Sequence, residues 1–130
     1  MSDTTEKTCF LLFDTKKARI RIQKSTLKAL GLPNYIQLLV NPEHKQVAIL
    51  GLNEEKPDDQ THRIRKGLPA YEAYYEIYSS TFIELLGGLI PNLSSNSSYR
   101  LYGSIKPERR LALYSLQSIE KVEKTDEQEA

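Results

Sequence analysis

The sequence predicts a mostly-β α+β domain built from two β-α-β-β repeats that pair with each other as a pseudo-twofold barrel or sandwich. Three observations carry that expectation. Short apolar or alternating runs, separated by turn residues, dominate the chain. Ile22-Gln23-Lys24-Ser25-Thr26-Leu27-Lys28-Ala29-Leu30 aligns with Ile77-Tyr78-Ser79-Ser80-Thr81-Phe82-Ile83-Glu84-Leu85, sharing the isoleucine, the Ser-Thr pair, an apolar residue and the last leucine. Further on, Asn41-Pro42-Glu43-His44-Lys45 with Val47-Ala48-Ile49 aligns with Lys106-Pro107-Glu108-Arg109-Arg110 with Leu111-Ala112-Leu113, in the same order along the chain. A single such unit leaves exposed strand edges, which it removes by pairing with its own copy.

The elements follow from local chemistry. Residues 8–14 are an apolar run bounded by charges, and Lys16-Lys17 make the turn after it. Arg19-Ile20-Arg21-Ile22 alternates strictly, so a strand there puts both arginines on one face and both isoleucines on the other. Ser25 or Thr26 then caps a short helix over 26–30, with Leu27 and Leu30 facing the core, and Gly31 and Pro33 end it. Residues 35–40 and 46–50 form a hairpin around the Asn41–Lys45 turn. Residues 53–60, with Pro57, Asp58 and Asp59, hold little that a core would take and read as a linker. A short strand over 61–66 precedes the second unit: a strand over 74–79, a helix over 80–86, a Gly/Pro/Asn/Ser-rich loop over 87–97, and strands over 98–104 and 110–115. The expected organisation is one domain over 8–116, with repeat one at about 8–52, repeat two at about 61–116, and an acidic, disordered tail over 117–130.

Composition narrows the function classes. The chain has 130 residues and a net charge of +1, with five acids and two lysines concentrated in 120–130, which leaves a mildly basic body. No run reaches the length of a membrane span, and the polar, acidic start is unlike a signal peptide, so a cytoplasmic protein is expected. The single cysteine, Cys9, lies in an apolar run and reads as a small core residue. His44 falls in a hairpin turn and His62 after a polar linker, without metal-pair spacing, and Asp58-Asp59 reads as solvated. No nucleophile elbow, P-loop or dinucleotide fingerprint occurs; the expectation is a non-enzymatic protein with no cofactor and no metal.

Two residue sets stand out as candidate binding surfaces. Lys16, Lys17, Arg19, Arg21, Lys24 and Lys28 are six cations within 13 residues with no acid among them, a pattern suited to phosphate. The second copy does not repeat them: Arg19, Arg21, Lys24 and Lys28 align with Tyr74, Glu76, Ser79 and Ile83. It offers tyrosines instead, with Tyr71, Tyr74 and Tyr78 as the expected protein-interaction residues. Strand parity places Tyr74, Glu76 and Tyr78 on one face, and Tyr75 and Ile77 on the other.

At Ala18-Arg19-Ile20-Arg21-Ile22, followed by a helix and Leu30-Gly31-Leu32-Pro33, the first half resembles the AbrB/MazE-type swapped-hairpin DNA-binding family. The resemblance covers about residues 8–50 and, more loosely, 61–116, where Leu85-Leu86-Gly87-Gly88 stands at the helix exit. It implies an AbrB-like swapped hairpin acting on duplex DNA as a transcriptional regulator or antitoxin-like module, with Arg19 and Lys28 at the family's basic positions. Gln23 replaces the proline that usually ends the strand, and Leu12 and Leu27 stand where the family often has further arginines. The alternative expectation is a protein-binding accessory factor of a phage or mobile element that docks on a host protein through the tyrosine surface. Either a monomer with internal pseudo-symmetry or a homodimer fits the duplication.

Overall fold

In the computed structural model, residues 7–56, 60–65 and 73–122 are described. The first strands form where the alternation demands: β1 (Lys7–Asp14) returns through the Lys16-Lys17 turn into β2 (Arg19–Gln23), whose isoleucines, Ile20 and Ile22, are fully buried. Helix α1 (Lys24–Ala29) leads to the hairpin β3 (Tyr35–Asn41) and β4 (Gln46–Leu52). A short β5 (Thr61–Arg63) precedes β6 (Tyr74–Tyr78), α2 (Ser80–Leu89), β7 (Ser98–Lys106), a single 3-10 turn (Pro107–Arg109) and β8 (Leu111–Val122).

All eight strands pair antiparallel in one nearly closed, barrel-like sheet of order β5-β3-β4-β8-β7-β1-β2-β6. Exchanging β1 with β5, β2 with β6, β3 with β7 and β4 with β8 returns the same cyclic order. Arg21 of β2 lies opposite its aligned counterpart Glu76 of β6, and across the barrel Ala48 of β4 lies opposite Leu113 of β8. The ring is incomplete between β5 and β6, where a side chain stands in for the ladder. The Tyr75 phenol accepts from the Arg65 N–H at 3.0 Å and donates to the Arg63 carbonyl at 3.2 Å.

Inward residues of six strands fill the barrel: Leu11, Phe13, Ile20, Ile22, Ile36, Leu38, Val47, Ile49, Leu101 and Tyr114 are all at most 1% exposed. Burying a side chain of this size contributes on the order of 2 kcal/mol, so this shared core is what holds the two halves together. Cys9 is buried within it, as its apolar surroundings in sequence suggested.

Several expectations are corrected. The aligned helices do not share a cap. Helix α1 begins at Lys24, with Thr26 fully buried inside it and no side-chain cap, because the Gln23 side chain accepts the Phe10 N–H at 2.9 Å and is held in the sheet. Helix α2 is capped by Ser79, whose hydroxyl accepts from the Phe82 N–H at 3.1 Å. The aligned leucines also diverge, since Leu30 is buried while Leu85 is 46% exposed and Leu86 takes the inward place. Helix α2 runs through Gly87 and Gly88, expected in a loop, because both lie on its exposed side while Leu89 and Ile90 beyond them still pack on the core. The exit of α1 does follow its sequence: Gly31 takes φ +88, the Leu32 N–H donates to the Leu27 carbonyl, and the Gly31 N–H donates to that of Lys28.

The two hairpin turns agree in backbone, with Lys45 at φ 55 and its counterpart Arg110 at φ 53. The strand match needs a shift of one residue, however. Ala112 is fully buried and corresponds to Val47, whereas Ala48 points outward with Leu113, as side-chain parity across the paired strands requires. Residues 117–122, expected in a disordered tail, continue β8, because Ser98–Arg100 of β7 pair with Glu120–Val122. The register shift between Arg100 and Tyr102 is filled by Ser118, whose hydroxyl accepts the Tyr102 N–H at 2.8 Å. Residues 123–130 of that tail, residues 57–59 of the linker, and residues 66–72 lie outside the described residues.

Candidate functional site

The cations and the tyrosines that the sequence separates are neighbours on one outer face. Strand β2 turns Arg19, Arg21 and Gln23 outward because Ile20 and Ile22 are claimed by the core. Strand β6 lies antiparallel beside it and presents Tyr74, Glu76 and Tyr78 outward, with Tyr75 and Ile77 buried on the opposite face. The pairing sets Arg19 against Tyr78, Arg21 against Glu76 and Gln23 against Tyr74. Tyr71 lies outside the described residues.

Acids that are remote or hidden in the linear reading reach both arginines. The Arg21 Nε donates to Glu76 Oε2 at 2.8 Å, with both side chains about one-third exposed. Arg19 Nη2 stands 3.5 Å from Asp14 Oδ2, a longer but less exposed pair. Asp14 also accepts the backbone N–H groups of Lys16 and Lys17 at 2.9 and 3.1 Å, which fixes the turn. The six cations therefore form a line along β2: Lys16 and Lys17 in the turn at one end, Arg19 and Arg21 along the strand, and Lys24 and Lys28 on α1 at the other. Five strand residues span roughly 17 Å, so the line has the reach of two or three successive backbone phosphates. Lys16, Lys17 and Lys28 are exposed, and none forms an ion pair among the described residues. They carry the uncompensated charge.

On the other side of β2 the face becomes aromatic, which linear sequence did not reveal. Phe10 of β1 lies 6.3 Å from the Tyr74 ring and 6.4 Å from the Tyr102 ring of β7. The Arg100 guanidinium sits 4.6 Å over the Phe10 ring and donates to the Tyr102 hydroxyl, which donates in turn to Glu120. Hydrogen bonding to Tyr102 raises the Arg100 pKa further, so its charge is permanent. Phe10, Arg100 and Tyr102 come from strands distant in sequence. The signal available was the outward parity of Phe10 in β1 and of Arg100 and Tyr102 in β7.

Inside the barrel the polar groups are few. Burial pushes the Cys9 thiol and, much further, the Tyr114 phenol above their ordinary values, and the two groups interact with each other and with Thr26 in the core. Such groups stay protonated and suit structure better than nucleophilic chemistry. Burial likewise lowers the His62 pKa, at a position where the first half carries Leu11. No cluster of three or more His, Cys, Asp or Glu able to hold a metal occurs among the described residues, and no helix there is long and apolar enough to cross a membrane. Comparison of the chain with protein-family models, curated proteins and solved structures returns no match.

Proposed function

We propose that this protein is a non-enzymatic DNA-binding module of the regulator or antitoxin-like type, in which one chain supplies both halves of an AbrB-like interlocked barrel. The observation that carries the reading is the line of six cations along β2, which ends in exposed lysines. Lysines at the ends engage phosphate as mobile point charges, while the carboxylate-held arginines keep fixed positions that orient the protein on the duplex. A gel shift on duplex DNA at low and physiological salt tests this. Binding should be clear at low salt and fall steeply as salt rises; no shift at low salt rejects the reading.

A second reading is favoured by one observation, the Phe10, Tyr74, Tyr102 and Arg100 cluster. Aromatic and arginine side chains packed together on a sheet face have the composition of a protein-docking centre, consistent with an accessory factor that acts on a host protein. Under this reading Tyr74→Ala with Tyr78→Ala abolishes complex formation with the partner and leaves DNA affinity unchanged. An equal loss of DNA affinity would assign the tyrosines to the nucleic-acid surface.

A further inference from the structure

The barrel has a second outward-facing pair of arginines, and it lies where the two halves differ most in charge. In the ring, Arg63 pairs with Tyr35 of β3, and Leu12 pairs with Arg100 of β7, so Arg63 and Leu12 are counterparts, as are Arg65 and Asp14. The first half closes its charge at this place: Asp14 accepts two turn N–H groups and holds Arg19. In the second half the carboxylate is replaced by a guanidinium. Arg63 and Arg65 are both exposed and make no ion pair among the described residues.

Both arginines line a cleft of about 730 Å³ with Asn34, Tyr35, Asn53 and Ile64, and no acidic side chain is among these. The volume falls within the range of roughly 300–1,000 Å³ common to small-molecule sites. The frame is fixed by backbone contacts. The Ile64 N–H donates to the Asn34 carbonyl at 2.9 Å, the Arg65 N–H donates to the Tyr75 phenol, and the Asn34 side chain donates to the Asn53 carbonyl at 3.3 Å. Arg63, the last residue of β5, and Arg65 flank the buried Ile64, and both line the cleft. Two guanidiniums on one cleft, with no acidic side chain among its described lining residues, suit the several oxygens of a phosphate group, which Arg engages in bidentate fashion. Tyr35, half-buried at the wall, and the two asparagines suit a planar, hydrogen-bonding ring attached to it.

We infer that the cleft between Asn34-Tyr35, Asn53 and Arg63-Ile64-Arg65 is a binding site for a phosphate-bearing ligand of mononucleotide size. The site does not depend on the DNA reading above, since it lies on a different strand from the β2 cations. The test is calorimetric titration of the full chain with 5′-AMP and with adenosine, repeated on Arg63→Gln with Arg65→Gln. 5′-AMP should bind at least tenfold more tightly than adenosine, and the double variant, with an unchanged thermal midpoint, should lose that advantage. Equal affinity for AMP and adenosine, no heat with AMP up to millimolar concentration, or undiminished AMP binding by the variant would overturn the inference. Should the variant not fold, the AMP-to-adenosine ratio on the unmodified chain decides alone. The source of the phosphate is read by competition: a duplex that displaces AMP assigns the cleft to a nucleic-acid backbone, and one that leaves AMP bound assigns it to a free nucleotide.

Discussion

The two halves of the barrel agree in their inward residues and part company outside. Ile20 and Ile22 of β2 are matched by buried Tyr75 and Ile77 of β6, and the hairpins carry the same left-handed residue at Lys45 and Arg110. Outward, Arg19 and Arg21 have Tyr74 and Glu76 as their aligned counterparts, and Leu12 and Asp14 answer to Arg63 and Arg65. The inner set is constrained by one shared core, where a misplaced side chain opens a void or clashes. The outer set is free of that constraint, so its differences report what each half does.

Among the inward positions that differ between the halves, Gly103 gives the largest expected effect. Gly103 takes the place that Leu38 fills in the first half, and it stands opposite Tyr114 where β8 passes closest. A Cβ on Gly103 would lie 1.9 Å from the Leu113 carbonyl oxygen. Gly103→Ala should therefore cost roughly 3 kcal/mol or more in a urea titration. Gly87→Ala on α2, which meets no atom within 4 Å, should instead stabilise by up to about 1 kcal/mol.

The same Tyr114, with Cys9, sets an alkaline limit. Both groups are held above their ordinary pKa by burial, so the unfolded chain releases these protons first and the folded state retains them as pH rises. Their contribution is constant below the ordinary thiol range and declines above it, by up to about 1.4 kcal/mol per pH unit for each group once the unfolded form has ionised. Urea midpoints measured from neutral pH to pH 10 or so should fall along this course, and Tyr114→Phe should make the fall shallower. A midpoint that rises with pH would contradict the burial of both groups.

The helix starts give a smaller contrast. Ser79→Ala removes the cap of α2 and should cost about 1 kcal/mol, whereas Ser25→Ala, at a position expected to cap α1 but exposed within it, should change stability by less than about 0.5 kcal/mol. The Arg21–Glu76 pair between β2 and β6 is smallest. A double-mutant cycle should return roughly 0.2–1 kcal/mol, because the pair is partly solvated.

How much of this was legible in the sequence divides along the same line. Strand alternation at Arg19–Ile22, the Gly31 helix exit and the hairpin turns are written in local chemistry, and each appears at its expected place. Letter matching failed where tertiary packing chose between neighbours. Leu86 is buried where Leu85 aligns with the buried Leu30, the expected cap at Ser25 or Thr26 is absent from α1, and residues 117–122 are recruited to pair with Ser98–Arg100. For the candidate site, the outward direction of Arg19, Arg21, Tyr74 and Tyr78 was readable, but their adjacency was not. It arises from the pairing of β2 with β6, more than fifty positions apart, as does the neutralisation of Arg21 by Glu76. The Arg63–Arg65 cleft was hidden for the same reason, since its walls come from β3, the β4 end and β5.

The central claim is that the first half's outer cations, which the second half lacks, hold DNA. Its most direct test is the slope of log affinity against log salt for a duplex, measured by fluorescence anisotropy for the unmodified chain and for Lys16→Ala, Lys17→Ala and Lys28→Ala combined. Each phosphate contact contributes a slope of about −0.9, so removing three should make the slope shallower by roughly 2–3. An unchanged slope, or no binding by the unmodified chain at low salt, would contradict it.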